Sequence, residues 1–427
     1  MIVVIALISR HVETPGLSTN PENLSSRERL RCMIALVAAL AVVSITSSLT
    51  WPILSESLRL AGYSEAEIGL NAAAQFAGII VVASLAPRII PRFGFFRCIV
   101  GGLTLAGLML VLLPLFRDYH TWFVLRFIMG IGNSLLFTTG DTWVNQIVEN
   151  RVRGRWMGIY STVGMAGWSL GPILGANMDP ESFAPFLVGF GAVALAALLL
   201  IPTRRIDIRL QHVAGLTSQS AKLWVVFLIA PTVLLSSGVF GVVEGGMNSF
   251  AHLYTMDVLG QEYRAIGYAV IWVGAVSAIF WQYPIGWLAD KMDRGWLLVG
   301  CVFTTTVTIA LFPLLIEAGS APWWTPKALA LWACIAVWGG TMGATFTVGI
   351  TLLGERFQGV ELVTANAVFS LLFGIGGLLG PFLVGLAMGH FGPSGFPVSM
   401  LIVVSAYTVF AIYRQATRSR RSASGVH

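Results

Sequence analysis

Glu244 stands inside an apolar run that extends from about residue 223 to 250, with Gly245 and Gly246 directly behind it. Arg126 and Asp141 fall inside another such run, 121–146. A charge held in apolar surroundings is costly unless it meets a partner, water or a proton, so these positions invite proton or ion chemistry. Arg126, Gly130, Ser134, Phe137, Asp141 and Asn145 recur three or four residues apart, which places them on one face of a helix. Arg126 and Asp141 are separated by about 22 Å along such a helix, so each needs its own partner. Ser237, Gly241, Glu244, Asn248 and His252 form a similar stripe. Within it Glu244 is the expected proton carrier, its glycine pair is expected to unwind the helix beside it, and His252 is expected at the outer surface. Asp141 is the second candidate carrier.

Other chemistry has little to work with. The three lysines, Lys222, Lys291 and Lys327, do not follow a glycine, so there is no phosphate-cradling loop of the Walker type. No nucleophile–base constellation and no metal-ligand spacing is present, which gives an expectation of no catalytic residue, no metal and no cofactor. Cys32, Cys98, Cys301 and Cys334 lie in or beside apolar runs and read as small packing residues. The net charge of +6 is spread over short loops and is not the clustered footprint of a nucleic-acid binder.

The elements that must position these residues are membrane helices. The chain is 56% hydrophobic and only 11% charged, whereas a soluble domain carries about 25% charged residues. Twelve runs reach the ~20 apolar residues that a span requires: 33–55, 67–87, 98–116, 121–146, 156–178, 183–202, 223–250, 264–284, 296–316, 328–352, 363–389 and 396–413. The seventh and eleventh are long enough to suggest tilt or a break. Of the 26 lysines and arginines, 21 fall on the two tails and every second loop. That bias puts both termini in the cytoplasm and gives an even number of spans. The organisation expected is a cytoplasmic tail over 1–31 (with Met33 as an alternative start), a six-helix bundle over 32–202, a cytoplasmic linker over 203–222, a second bundle over 223–413 and a tail over 414–427. Trp122, Trp224, Trp323 and Trp324, at span ends, read as interface anchors; Trp143, Trp168, Trp272, Trp281 and Trp338 lie deeper.

The chain also repeats. At an offset of 209, Gly130 meets Gly339, Phe137 meets Phe346, Gly140 meets Gly349, Thr142 meets Thr351, Gly167 meets Gly376, Gly171 meets Gly380 and Pro172 meets Pro381. At 198, Gly62 meets Gly260, Ile68 meets Ile266 and Gly69 meets Gly267, while Glu244 falls opposite Thr46. Two parallel repeats of six helices are a transporter architecture.

Three stretches resemble the major facilitator superfamily. Gly286-Trp-Leu-Ala-Asp290-Lys-Met-Asp-Arg294 is similar to its signature cytoplasmic loop; in the first half Pro91 stands where that loop's aspartate would be. Arg126-x-x-x-Gly130-x-Gly132 resembles the family's intramembrane arginine motif. Gly167-x-x-x-Gly171-Pro172-x-x-Gly175 resembles a helix-packing motif common among its proton-exchanging exporters. The loop around Arg153, Gly154 and Arg155 is similar to the family as well, and the segment Asp141-Thr-Trp-Val-Asn145 resembles a poorly characterised bacterial branch of it.

The resemblance implies an all-α, polytopic membrane protein with twelve transmembrane helices in two six-helix bundles, the major facilitator fold. It implies a secondary active transporter, a proton-coupled exporter of a small organic compound working by alternating access. A uniporter or symporter for a metabolite is the alternative, and a membrane enzyme or sensor a remote one. The expected transport and coupling residues are Glu244, Arg126, Asp141, Asn145 and Asn248. A cytoplasmic latch is expected from Asp290, Arg294 and Glu355, with Gly286 permitting close approach. The expected setting is a monomer in a bacterial inner membrane, its partners being substrate, proton and lipid, with no nucleic acid.

Overall fold

The computed structural model describes residues 25–148, 153–206, 220–357 and 359–423. Residues 1–24 of the expected first tail, 207–219 of the expected linker and the terminal 424–427 lie outside the described residues. Thirteen α-helices are described: α1 Ser26–Leu60, α2 Glu65–Phe93, α3 Phe95–Leu115, α4 Tyr119–Ile147, α5 Arg153–Ala176, α6 Ala184–Leu200, α7 Ser220–Ile229, α8 Pro231–Leu259, α9 Arg264–Ala289, α10 Arg294–Leu315, α11 Pro326–Arg356, α12 Gly359–Phe391 and α13 Gly395–Ala423. Each of the twelve apolar runs is helical. The seventh is broken, as its length suggested, because Pro231 opens a new helix and Ala230 leaves helical geometry. The eleventh is one unbroken helix in spite of Pro381. Nine described stretches are long and apolar enough to cross a membrane, one of which, Thr364–Arg418, runs through both α12 and α13.

Local chemistry starts and stops these helices. Ser25 and Glu28 form a reciprocal cap at α1, and Ser64 and Glu67 repeat it at α2, the Ser-x-x-Glu pattern that satisfies two orphan N–H groups. Asp118, Asp293 and Thr325 cap α4, α10 and α11 through their side chains. Gly62 and Gly260, corresponding positions of the repeat, both have positive φ, 86° and 113°, which residues with a Cβ rarely adopt. In α1 the hydroxyls of Thr46, Thr50, Ser55 and Ser57 return to carbonyls one turn earlier. That is how a polar side chain is satisfied where water is absent.

The chain divides into two compact units. The first holds the described residues up to Thr50 and those from Ala74 to Ile206; the second holds Trp51–Ala73 and the described residues from Ser220 onward. The C-terminal end of α1 and the N-terminal end of α2 thus belong to the second unit.

Within each unit the repeated glycines make the same contact. In the first, a Cβ on Gly167 or Gly171 of α5 would strike Ala41 or Ser48 of α1, and one on Gly130 of α4 would strike the Gln75 carbonyl of α2. In the second, Gly376 and Gly380 of α12 press on the carbonyls of Gly238 and Val242 of α8, and Gly339 of α11 presses on Gly274 of α9. Without a hydrophobic force between helices in lipid, such backbone approach supplies the packing. Gly380→Val is therefore expected to lower stability by about 1–3 kcal/mol or prevent folding. Gly101→Ala, where a Cβ meets nothing within 4 Å, is the control. Thermal unfolding of the two purified variants in detergent compares them; equal midpoints would refute the packing role.

The four cysteines are buried. Trp143 is fully buried and stacks on Phe95 at 5.7 Å, while Trp323 and Trp324, just before α11, are exposed. Trp122, expected at an interface, is 4% exposed and donates to the Leu113 carbonyl.

Candidate functional site

Glu244 lies in the middle of α8 and is half-buried. Its carboxylate forms no hydrogen bond and no ion pair among the described residues. Along α8 the partly accessible positions nearest to it are Phe240, one turn before, and Met247, one turn after. Phe240 belongs to an aromatic cluster with Phe346 of α11 at 4.9 Å and Phe373 of α12 at 5.8 Å, both also half-buried. Glu244 thus follows, by one helical turn on α8, a residue of an apolar, polarisable cluster.

The helix does not unwind behind Glu244. α8 is continuous from Pro231 to Leu259, because Gly245 and Gly246 serve as contacts instead: a Cβ on the first would meet the Gly377 carbonyl and Pro381, and on the second Met400 and Val384. The polar stripe of α8 also divides. Ser237 donates to the Phe369 carbonyl at 2.7 Å and Gly241 presses on α12 at Phe373. Asn248 is buried and donates to the backbone carbonyl of Glu244 at 2.9 Å, while its Oδ1 has no partner among the described residues.

In the first unit, Arg126 is 1% exposed, so in this conformation it offers no surface to a ligand. Asp141, on the same helix, is exposed and is hydrogen-bonded to Tyr160 of α5. Asn145 lies in α4, but its side chain is outside the described residues. Gly167, Gly171, Pro172 and Gly175 all lie in α5, the first two against α1 as above.

At the α9–α10 turn, Arg294 pairs with Asp290 at 3.6 Å and with Glu355 at the end of α11. Asp290 closes α9 and Arg294 opens α10. Gly286 does not serve close approach, since a Cβ there would meet nothing within 4 Å; Gly295 is the tight position, against Gln415 of α13. Gln415 in turn donates to Asp293 at 2.7 Å, a contact that spacing along the sequence does not suggest.

The sequence reading also missed a charged network. Glu56 of α1 is 6% exposed. It accepts from Arg264 Nε at 2.6 Å and from the Tyr268 hydroxyl at 2.8 Å. Nearby, Arg59 pairs with Glu65 at 3.1 Å and Asp257 at 2.5 Å. His252, expected at the surface, is 0% exposed, with its ring 5.2 Å from that of Tyr268. The spacing of Glu56 and Arg59 from Gly62, matched by Asp257 and Gly260, was the available signal. Among the described residues no group of His, Cys, Asp or Glu could hold a metal ion.

The family model of the Major Facilitator Superfamily matches residues 34–335 and 275–426. The uncharacterized MFS-type transporter YfkF of Bacillus subtilis (strain 168) is 23% identical over 358 residues, 83% of this chain and 88% of its own. The uncharacterized MFS-type transporter YcaD of Escherichia coli O7:K1 (strain IAI39 / ExPEC) is 25% identical over 330 residues, 76% of this chain and 80% of its own. Among solved structures, the nucleoside transporter NupG aligns with a TM-score of 0.72 at 12% identity, covering 91% of this chain and 98% of that one. A bacterial homologue of the human lysosomal transporter Spinster aligns at 0.67 with 16% identity, covering 91% and 96%. At such identities the structural likeness is one of fold.

Proposed function

The chain belongs to the Major Facilitator Superfamily and is a multi-pass membrane transporter with a small-molecule substrate, not an enzyme; from that premise we propose that it exchanges protons for a small organic compound, with Glu244 as the proton carrier. The observation that supports the reading is the partly accessible Glu244 carboxylate, unpaired among the described residues, one helical turn from Phe240 and its ring neighbours Phe346 and Phe373. A charge at that depth needs a counterpart. A proton and a cationic, apolar compound are alternative occupants, and binding one expels the other. Aromatic faces attract organic cations, which supports this substrate class. Asp141 and Asn248 are assigned supporting roles, and Asn145 and Arg126 are retained on their place in α4 alone. Export, rather than import, rests on the resemblance of Gly167-x-x-x-Gly171-Pro172 to exporter motifs. The excess of Lys and Arg on alternate loops favours a bacterial inner membrane with both termini inside, and we take the working unit to be the monomer.

The test is transport by the purified protein in vesicles, with and without an imposed pH gradient, across a panel of organic cations and neutral metabolites. Gradient-dependent movement of a cation is the expected result. Movement at one rate regardless of the gradient would favour a uniporter.

Arg294, with Asp290 and Glu355, is proposed as a latch that closes one side during the cycle. Exposed pairs of this kind are worth under about 1 kcal/mol each, so Asp290→Asn and Arg294→Ala should slow transport several-fold while leaving the unfolding midpoint unchanged. Wild-type rates in both variants would remove the latch from the mechanism.

A further inference from the structure

We propose that a basic cavity in the second unit, lined by Arg356, Arg414 and Arg418 and separate from the Glu244 region, binds a phosphate group. The cavity has a volume of about 460 Å³ and opens among the ends of α8, α10, α11 and α13. Arg356 closes α11, and Arg414 and Arg418 sit one turn apart on α13. Both α13 arginines are near enough to Arg356 for their charges to oppose its own. None of the three forms an ion pair among the described residues. Three like charges around one space repel, and an anion bridging them converts that repulsion into attraction.

Glu355 and Asp293 also act on Arg356 at a distance, but neither pairs with it among the described residues. Asp293 is occupied by the Trp296 N–H and by Gln415, and Glu355 by Arg294. No Asp or Glu lines the cavity. What does line it besides arginine is equally suited to an anion. Thr232 and Val233 belong to the first turn of α8, and Gly295 to the first turn of α10. First-turn N–H groups have no intrahelical acceptor and carry partial positive charge. The break at Ala230 is what brings one of these helix starts to the cavity. Planar guanidinium groups and convergent N–H donors match the oxygens of a phosphate.

Two sources could supply that group: the headgroup of an anionic phospholipid, whose leaflet lies on the side to which the Lys and Arg bias assigns these helix ends, or a soluble phosphate. Titrations of the full-length protein in neutral detergent, read by thermal unfolding, separate them with three probes: phosphatidylglycerol, phosphatidylcholine and inorganic phosphate. Each is applied to the wild type and to Arg414→Gln/Arg418→Gln, whose side chains are exposed and outside the transport residues. Stabilisation by phosphatidylglycerol alone supports a lipid site. Stabilisation by inorganic phosphate as well supports a site open to soluble anions. In either case the double variant should bind about tenfold or more weakly, and Arg414→Lys should retain part of the affinity. The proposal is overturned if neither anionic probe stabilises the wild type, if phosphatidylcholine does so equally, or if the glutamine variant binds as tightly as the wild type. Because the readout is binding and not transport, its failure leaves the coupling role of Glu244 untouched.

Discussion

Replacing Glu244 with glutamine is expected to abolish transport driven by a pH gradient while leaving the protein folded and able to exchange substrate for substrate. Glutamine has nearly the volume of glutamate, and the glutamate carboxylate makes no hydrogen bond or ion pair among the described residues, so the packing of α8 has no contact to lose. What is lost is the site for a proton. A permanently neutral side chain leaves the aromatic faces as the attraction for a cation, so substrate should bind more weakly, but a cycle that returns loaded in both directions moves no proton and can continue at high substrate concentration. Accumulation should fall to the level of a protein-free vesicle, and counterflow should persist. A variant that keeps gradient-driven accumulation would transfer the coupling role to Asp141, the exposed carboxylate of α4, with Asp141→Asn the next measurement.

Glu56→Ala is expected to cost about 3 kcal/mol, because it leaves a partly buried guanidinium without its carboxylate. Arg264 would keep the hydroxyl of Tyr268 at 3.3 Å and the face of its ring at 4.7 Å, both of them neutral. Tyr268, itself 1% exposed, would lose its acceptor too. Unfolding in denaturant, compared with the Asp290→Asn variant as an exposed reference pair, measures the difference. Glu56→Leu combined with Arg264→Met should recover most of the loss, since replacing both members of a buried pair by apolar groups is often neutral. If Glu56→Ala costs no more than the reference, the network is held by solvent and not by the protein.

The long helices were legible because each spans a continuous apolar run, and the cost of unsatisfied backbone in lipid leaves such a run only one structure. The repeat was legible for a related reason. Its markers, Gly130, Gly167, Gly171 and their counterparts, are positions where backbone touches backbone, and no larger residue fits. Glu56 was not legible, because it sits just past the end of the 33–55 run among Ser55, Ser57 and Arg59, where a charge reads as loop. Its burial depends on Arg264 and Tyr268, some two hundred positions away. The three arginines of the basic cavity were visible only as an orientation signal, since a count of charges by loop discards which of them converge. Gly245 and Gly246 misled in the opposite direction. Paired glycines weaken a helix in isolation, but here α12 lies close enough to need the space.

The pair between Arg59 and Asp257 joins residues 198 positions apart, the same interval that relates Gly62 to Gly260. The two partners therefore occupy one and the same place in the two halves of the chain. Had the halves been identical copies, that place would have set like against like, two arginines or two aspartates repelling each other. Opposite charges at a shared position require the two halves to differ there, so this contact belongs to what distinguishes one half from the other. It also makes the exchange of the two residues, Arg59→Asp with Asp257→Arg, the change that an inexact symmetry should tolerate best.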